Sequence, residues 1–440
     1  MTEQAHVGIV GAGIAGLTAA FDLSKKGYRV TVLESSHRVG GLAAGFKASN
    51  WDWPLEEFYH HIFTGDEAIL NLAGEIGSSV FFRRPVTSMW FEGKAYPFDS
   101  PMRVLSFPHL GFVDKMRMGL TIAYLRYLTR DWKQLETTTS DRWLRKQMGN
   151  QAYETLWQPM LQGKFGDHYD EVNLAWFWAR MVKRSPSLGY FEGGFQTFAD
   201  RLADALLDRG GQIRTDTRVS HIVRSNGGWQ LQSADGDDDS EPFDAVVATV
   251  PPYLLARIVP GLPADYLAGL QQLQSMGAVV MTMAVDRPIT DGHYWINLPK
   301  AAGFPFLAFV EHTNYIDSEH YGGDHVIYCG DYLDVDHAHF SMSDEELLDA
   351  FLPGIKRLRP DFERSWIRQF WVHKAAYAQP VPPVNYSHQI PDLRTPLTGL
   401  YFASMSQVYP WDRGTNYAVD IGHRVAGLVQ DDLRNQNQER

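Results

Sequence analysis

Residues 7–16 read VGIVGAGIAG, and residues 29–34 read RVTVLE. The first stretch is an apolar run that leads through a Gly-x-Gly-x-x-Gly pattern into a helical run, and the second is an apolar run that ends on Glu34. In a strand–turn–helix–strand unit, such glycines bring the backbone close to a pyrophosphate, and the acid accepts hydrogen bonds from a ribose. The stretch therefore predicts a dinucleotide-binding unit at the start of the chain.

The glycines of this pattern have different expected tasks. Gly11 allows the tight turn, Gly13 lets backbone amides approach the pyrophosphate, and Gly16 lets helix and strand pack closely. Ile14 and Ala15 begin the helix, whose N-terminus faces the negative charge. All five residues are therefore candidates for contact with the dinucleotide.

A second pair of glycines follows the acid. Gly40 and Gly41 come shortly after Glu34, with Arg38 just before them. Adjacent glycines allow the backbone to pass close to a ligand, and an arginine fork pairs well with a phosphate. In an NAD site the chain normally continues into another βα unit after the acid, so this arrangement favours FAD.

These motifs together resemble the FAD-binding amine oxidase superfamily, which includes protoporphyrinogen oxidases, phytoene desaturases and monoamine oxidases. Residues 413–422, RGTNYAVDIG, follow a predicted short strand at 397–404 and resemble the superfamily's C-terminal flavin motif. The resemblance spans Gly11 to Gly422 and implies FAD held without a covalent link. Many relatives carry Gly-Asp after this strand, where the present chain has Ser404-Met405-Ser406, and the hydroxyl of Ser404 or Ser406 is then expected to bond the ribityl chain instead.

The predicted cofactor contacts come from the glycine turns, the acid and its neighbours, and the later segments that the resemblance adds. The family residue corresponding to Val219 meets the adenine through its backbone, and the strand at 245–250 approaches the cofactor with its C-terminal end. The candidates are Gly11, Gly13, Ile14, Ala15, Gly16, Glu34, Ser35, Arg38, Gly40, Gly41, Leu42, Val219, Thr249, Ser404, Asn416, Tyr417 and Ala418.

The order of elements favours a mixed fold of α/β and α+β parts. We expect a Rossmann-like FAD-binding domain of the GR2 type from residues 1–85, 189–265 and 386–440. A discontinuous substrate domain would hold a helical subdomain at 86–188 and an antiparallel sheet at 266–385, with one helix that Ser343 is expected to cap. The acidic run at 235–240 is expected to be a solvated turn between strands.

Candidates for proton transfer follow the double glycine. Tyr59, His60 and His61 lie in a segment that the resemblance places near the flavin ring, and imidazole moves protons near neutral pH. Adjacent residues on a strand point to opposite faces, so one histidine is expected to face the substrate. Lys164, beside Gly163, is a candidate for pairing with an anionic substrate group or a water near the flavin. Structural histidines and a solvated loop lysine are the alternative interpretations, and no metal site is predicted because no third ligand is suitably spaced.

Composition excludes several classes of function. The net charge of −12 argues against a nucleic-acid partner. Cys329 is the only cysteine, which excludes an intrachain disulfide and fits a reducing cytoplasm. The early nucleotide motif predicts no signal peptide, and no apolar run is long enough to span a bilayer.

Two further features bear on partners. An aromatic content of 13% suits a small hydrophobic or aromatic substrate, although a large aromatic core explains it equally well. Residues 112–128 are apolar with interspersed basic residues, a pattern typical of a core helix and also of a peripheral helix on a membrane surface.

The sequence thus predicts an FAD-dependent oxidoreductase, similar to protoporphyrinogen oxidases and amine oxidases, in which a substrate C–H or C–N carbon loses hydride to flavin N5. The electron acceptor is open between oxygen, a quinone and NAD(P). One alternative is a redox-neutral sugar mutase of the UDP-galactopyranose mutase type, which needs converging arginines. The candidates for that role are Arg180, Arg184, Arg287 and Arg368. The other alternative is a non-catalytic prenyl-binding module of the Rab escort type, which generally lacks a working flavin site.

Overall fold

The computed structural model describes residues 4–225, 227–234, 236 and 242–439. Most of the acidic run at 235–240 lies outside these residues. The strands of the described part are β1 (His6–Val10), β2 (Arg29–Leu33), β3 (Gly45–Phe46), β4 (Leu55–Glu56), β5 (Ile62–Phe63), β6 (Val80–Arg83), β7 (Val86–Phe91), β8 (Lys94–Pro97), β9 (Leu188–Phe191), β10 (Gln212–Arg214), β11 (Val219–Ser225), β12 (Gly228–Ser233), β13 (Ala245–Ala248), β14 (Ser275–Val285), β15 (His293–Asn297), β16 (Ala308–Glu311), β17 (His325–Leu333), β18 (Ile367–Pro380) and β19 (Leu400–Phe402). Its α-helices are α1 (Ile14–Lys25), α2 (Glu67–Glu75), α3 (Pro101–Ser106), α4 (Phe112–Ala123), α5 (Trp132–Leu135), α6 (Ser140–Met148), α7 (Asn150–Ala152), α8 (Gln158–Phe165), α9 (Leu174–Lys183), α10 (Gly194–Leu207), α11 (Pro252–Ile258), α12 (Ala264–Gln272), α13 (Asp344–Leu358) and α14 (Thr415–Glu439).

A five-stranded parallel sheet forms the centre of the nucleotide-binding part, with strand order β10-β2-β1-β13-β19. Residues of α1, α10 and α14 pack into one core with β1 and β2. The central strands β1 and β13 are wholly buried, as expected when both faces of a parallel sheet are covered. The predicted Rossmann-like sheet is therefore confirmed, and the carboxyl ends of β1, β2 and β13 lie at one edge, where such folds bind ligands.

A second sheet has seven strands in the order β18-β14-β17-β16-β15-β7-β8. Its pairs are antiparallel except for β15 with β7. Helix α13 packs on one face, capped by Ser343 and Glu346 in a capping box, which confirms the helix start expected there. The predicted antiparallel sheet is thus confirmed.

The segment between the two blocks of the nucleotide part is helical from Pro101 to Lys183, with π-helical turns at Tyr124–Leu128 and Tyr153–Trp157. Residues 86–97, expected in the helical subdomain, instead form β7 and β8 and extend the seven-stranded sheet through parallel pairing with β15. Along the described chain, no helix combines the length and apolarity needed to cross a bilayer.

Candidate functional site

The glycine-rich loop between β1 and α1 leaves one side of its backbone open. Gly11 has a φ of +103° and donates its N–H to the Leu33 carbonyl at 2.8 Å, so the chain turns tightly. A Cβ at Gly16 would lie 2.0 Å from the Gly11 carbonyl oxygen, whereas a Cβ at Gly13 would meet Gly41 Cα at an ordinary 3.8 Å. Packing within the fold therefore requires glycine at position 16, while the space beside Gly13 fits the approach of a ligand.

Glu34 fixes the loop from the end of β2. One carboxylate oxygen accepts the N–H of Ala12 at 2.7 Å, and the other accepts the N–H of Ser36 at 2.8 Å. The Glu34 carbonyl accepts the N–H of Thr217 at 2.8 Å, two residues before Val219. The residues predicted to bind the ribose and the adenine thus lie together at the carboxyl edge of the parallel sheet. We call this edge, as far as the start of α14, the groove, because such folds bind ligands in a crevice there.

The double glycine lies directly beside this loop. Gly40 donates its N–H to the Ala12 carbonyl at 2.9 Å, and both Gly40 and Gly41 have positive φ, at +116° and +59°. Arg38 donates to the Glu57 carboxylate at 2.8 Å and to a backbone carbonyl. Its pairing with a cofactor phosphate stays a prediction.

The remaining N-terminal candidates differ in exposure. Ser35 is exposed, Ala15 and Leu42 are half-buried, and Ile14 is buried in the core. Since the Ile14 side chain packs inward, only its backbone is available to a ligand.

The groove continues past the ends of β13 and β19. The Thr249 hydroxyl donates to the carbonyls of Val10 and Gly11 at 3.0 and 3.2 Å. Ser404 is buried and its hydroxyl donates to Gln407 at 3.2 Å within a capping box. The expected bond from Ser404 to a ribityl chain would therefore compete with this cap.

Helix α14 begins at the far end of the groove. Asn416 accepts the N–H of Ile69 at 3.1 Å, which ties the helix start to α2. Tyr417 stacks on Trp411 with ring centroids 6.0 Å apart, and Ala418 is half-buried. A helix N-terminus presents unpaired amides and partial positive charge.

The candidates after the double glycine lie next to this helix start. Tyr59 packs edge-on against Trp295 at 4.8 Å, over Gly330, where a Cβ would come within 2.7 Å of its ring. His60 and His61 precede β5 in irregular backbone, so strand alternation does not separate them. Burial lowers the pKa of His60 to about 4 and of His61 to about 3, and Arg413 contributes to both shifts. Both imidazoles are thus neutral at pH 7, and the positive charge of Arg413 acts on both of them.

A group of charged side chains lies beyond the histidines. Lys164 is buried at the end of α8 rather than solvated, and its Nζ lies 3.2 Å from an Asp412 oxygen. Arg180 on α9 donates to the same carboxylate, and the Trp176 indole N–H donates to it at 3.0 Å. Burial alone would raise the pKa of Asp412, but Lys164 and Arg180 hold it well below its usual range.

Two further arginines complete this group. Arg413 donates to Gln379 at 3.0 Å and lies over the Tyr332 ring at 4.9 Å. Arg184, just after α9, is exposed, and repulsion from Arg180 lowers its pKa to about 9. Arg287 and Arg368, the other arginine candidates for the mutase alternative, lie elsewhere. Arg287 forms an exposed ion pair with Asp286, and Arg368 pairs with the buried carboxylate of Asp324.

The sequence had not singled out Asp412, Arg413 or Trp176 as site residues. The only signal for Asp412 and Arg413 is their position, since Asp412 directly precedes the C-terminal flavin motif and Arg413 is its first residue. We call the group of Lys164, Arg180, Arg184, Asp412 and Arg413 the charged cluster.

Comparison with known proteins identifies the family. The family model described as flavin containing amine oxidoreductase matches residues 14–430. The chain belongs to this family. The predicted resemblance to FAD-dependent amine oxidases is therefore confirmed, and the family implies a flavin cofactor.

The individual relatives either share low sequence identity with this chain or match only a short segment of it. The chain is 26% identical over 280 residues to a putative flavin-containing monoamine oxidase, AofH, of Mycobacterium tuberculosis, covering 59% of this chain and 60% of the relative. It is 54% identical over 46 residues to L-amino acid oxidase Cdc18 of Crotalus durissus cumanensis, covering 10% of this chain and 9% of the relative. The chain thus spans less than two thirds of these curated relatives.

A solved structure extends the likeness to the whole fold. A putative protoporphyrinogen oxidase from Exiguobacterium sp. 255-15 has a TM-score of 0.74 at 19% identity, covering 98% of this chain and 100% of that one. At 19% identity the comparison shows a shared fold and nothing further, and this shared fold agrees with the two sheets described above.

Proposed function

We propose that the protein is an FAD-dependent oxidoreductase that removes a hydride from a C–H or C–N carbon of a small molecule. The observation that carries the proposal is the open side of Gly13, in a groove that runs from Glu34 to the start of α14. Family membership supports the same conclusion.

The chain's own residues hold and orient the reactants. Glu34 and the glycine loops hold the dinucleotide by hydrogen bonds and close backbone approach, and the N-terminus of α14 favours negative charge at its end of the groove. The aromatic pairs Tyr59–Trp295 and Trp411–Tyr417 would provide apolar walls for the substrate. Bound FAD supplies the hydride acceptor.

The experiment is anaerobic titration of the FAD-loaded protein with amines, porphyrinogens, polyenes and UDP-sugars, monitored by flavin absorbance at about 450 nm. We expect bleaching by one of the first three classes. Protein that stays apo in excess FAD would contradict the proposal and would favour a binding module of the Rab escort type.

We also propose that FAD is bound without a covalent link. The only cysteine, Cys329, is fully buried in β17 among residues that pack against α13. A cysteinyl attachment would thus require a thiol on the covered side of the sheet. Acid precipitation tests the proposal: the yellow flavin should remain in the supernatant, whereas flavin in the pellet would contradict it.

A surface of the helical part supports contact with a membrane. Nine large hydrophobic side chains of residues 102–128 are exposed. They are Met102, Leu105, Phe112, Val113, Met116, Leu120, Tyr124, Tyr127 and Leu128. Residues 101–133 carry six Lys or Arg and two Asp, although the whole chain has a net charge of −12. Apolar side chains flanked by basic ones fit an anionic lipid surface, so we propose that the protein binds membranes peripherally there.

Vesicle co-sedimentation tests this surface. We expect binding to vesicles that contain phosphatidylglycerol, weaker binding to pure phosphatidylcholine, and loss of binding in the double variant Phe112→Ser, Leu120→Ser. The control is Val335→Ser, which changes an exposed apolar residue outside this surface. Equal binding by both variants would contradict the proposal.

A further inference from the structure

The Arg38 side chain, beside the double glycine, is held by a carboxylate. Its guanidinium donates to one oxygen of Glu57 at 2.8 Å and also to the Gly45 carbonyl. Gly40, two residues after Arg38, donates its N–H to the Ala12 carbonyl at 2.9 Å, so this ion pair lies at the edge of the nucleotide loop. A dinucleotide phosphate in that loop and the Glu57 carboxylate are therefore two anions that compete for one guanidinium group.

The other oxygen of Glu57 faces a histidine of the seven-stranded sheet. His373 on β18 has its Nδ1 3.7 Å from that oxygen, and its side chain is only 16% exposed. Its Nε2 is buried and has no hydrogen-bond partner in the part of the chain that the structure describes. Phe46 packs against the imidazole with ring centroids 4.9 Å apart. The imidazole is thus held next to the carboxylate by an apolar neighbour, with hydrogen-bonding capacity left unused.

The protonation of Glu57 and His373 depends on Arg38. Burial raises the pKa of Glu57, and the positive charges of Arg38 and of protonated His37 oppose that rise. Burial also lowers the pKa of His373 to about 4, and repulsion from Arg38 adds to this shift. Among the described residues, these are the charged and titratable groups that act on the two side chains. Withdrawal of the Arg38 charge therefore moves the pKa of both groups upward.

We infer that Arg38, Glu57 and His373 form a cofactor-sensing latch, in which a dinucleotide phosphate draws Arg38 away from Glu57 and a protonated His373 takes its place. Binding of FAD is thereby coupled to the uptake of one proton from the buffer onto the imidazole. The inference rests on the proposed function and goes beyond it, because Glu57 and His373 respond to the cofactor without contacting it.

The latch follows from the cost of an unpaired charge. A half-buried carboxylate that loses its cation needs another, because an uncompensated charge away from water is unfavourable. His373 is already positioned beside Glu57, and protonation makes both of its ring nitrogens donors. Glu57 directly follows β4, whereas His373 lies on β18. The new ion pair therefore joins the nucleotide-binding part to the seven-stranded sheet when the cofactor is bound.

The test is calorimetric titration of the apo protein with FAD in PIPES and in ACES buffer, whose heats of ionisation differ. The difference between the two apparent heats counts the protons exchanged on binding. We expect uptake of about one proton per FAD at about pH 6.5, near the ordinary histidine pKa. By linkage, the dissociation constant of FAD should rise by up to about tenfold per pH unit where the uptake is complete.

Variants assign the proton to its site. His373→Asn should bind FAD without proton uptake and with an affinity that no longer changes with pH. Glu57→Gln should also lose the uptake and should bind FAD up to about tenfold more tightly at about pH 7.5, because Arg38 then leaves no carboxylate behind. The controls are His37→Asn, an exposed histidine beside Arg38, and Glu56→Gln, the adjacent buried carboxylate. Both controls should keep the proton uptake.

Three results would overturn the latch while leaving the proposed function intact. One is FAD binding by the unaltered protein without proton exchange. Another is uptake that persists in His373→Asn or disappears in either control, which places the proton elsewhere. The third is weaker FAD binding by Glu57→Gln at every pH, which indicates that Glu57 only supports the loop. If the unaltered protein binds no FAD at all, the proposed function fails and the latch fails with it.

Discussion

The two ends of the groove are built by different means. At the nucleotide end, the key groups are backbone atoms of the loops at 11–16 and 40–42. The Glu34 carboxylate holds the first of these loops by accepting the Ala12 N–H. At the other end, the charged cluster is made of side chains from α8, α9 and the segment before α14. The contrast teaches that backbone recognition depends on local spacing, whereas recognition by side chains depends on how distant segments fold together.

The largest expected effect tests the nucleotide end. Gly16→Ala places a Cβ 2.0 Å from the Gly11 carbonyl oxygen, so the apo protein should lose about 3 kcal/mol of stability or more, and its Tm should fall by about three degrees or more. Gly13→Ala meets no such obstacle and should leave the apo Tm unchanged while lowering bound FAD. The Tm of each apo variant and the flavin-to-protein ratio check this, and equal loss of stability in both would contradict the different roles.

The next prediction tests the charged end. Asp412→Asn removes the carboxylate that Lys164 and Arg180 share, so the free energy of unfolding should fall by about 3–5 kcal/mol. Urea unfolding measures the change. The control Asp361→Asn alters the exposed partner of Arg359 and should cost less than about 1 kcal/mol. A small effect at position 412 would show that the cluster does not depend on its only carboxylate.

Glu56 sharpens the comparison because it is a buried carboxylate with no cation beside it among the described residues. It accepts from the Tyr190 hydroxyl at 2.8 Å and from the Phe195 N–H at 2.8 Å, yet burial raises its pKa to about 7. Because the folded pKa lies above the unfolded value of 4.5, stability is full below about pH 4.5 and declines as the pH rises to about 7.

The variant Glu56→Gln should remove this pH dependence. Relative to the unaltered protein, it should gain about 3 kcal/mol between pH 4.5 and pH 8, at about 1.4 kcal/mol per pKa unit. Urea midpoints at the two pH values measure the difference. A constant difference between the two proteins would show that Glu56 stays ionised in the fold.

The smallest effect concerns Glu34. Glu34→Ala removes the acceptor for the Ala12 and Ser36 amides and for the predicted ribose contact, so FAD affinity should fall about tenfold or more. Glu75→Ala, which removes an exposed glutamate that pairs with Lys25 and is not among the predicted cofactor contacts, is the control. Equilibrium dialysis against FAD measures both, and an unchanged affinity for Glu34→Ala would contradict the ribose assignment.

Sequence patterns predicted much of the fold but little of the charged cluster. The parallel sheet, the antiparallel sheet and helix α13 follow from apolar periodicity and capping residues, which are local signals. Strands β7 and β8 were missed because β7 joins the sheet through β15, about two hundred positions away, and β8 pairs only with β7. One interpretation of Lys164 was a solvated loop lysine. In the structure this side chain is buried beside Asp412, a partner that lies far away in sequence.

The amino-acid sequence by itself determined the nucleotide loop, since each glycine and Glu34 act through the backbone conformation of their own segment. Tertiary structure alone decided the charged cluster, because Arg180 and Asp412 are 232 positions apart and nothing in either segment indicates the other. Local conformation is encoded at short range, whereas the balance of charge in a buried site is a property of the assembled fold.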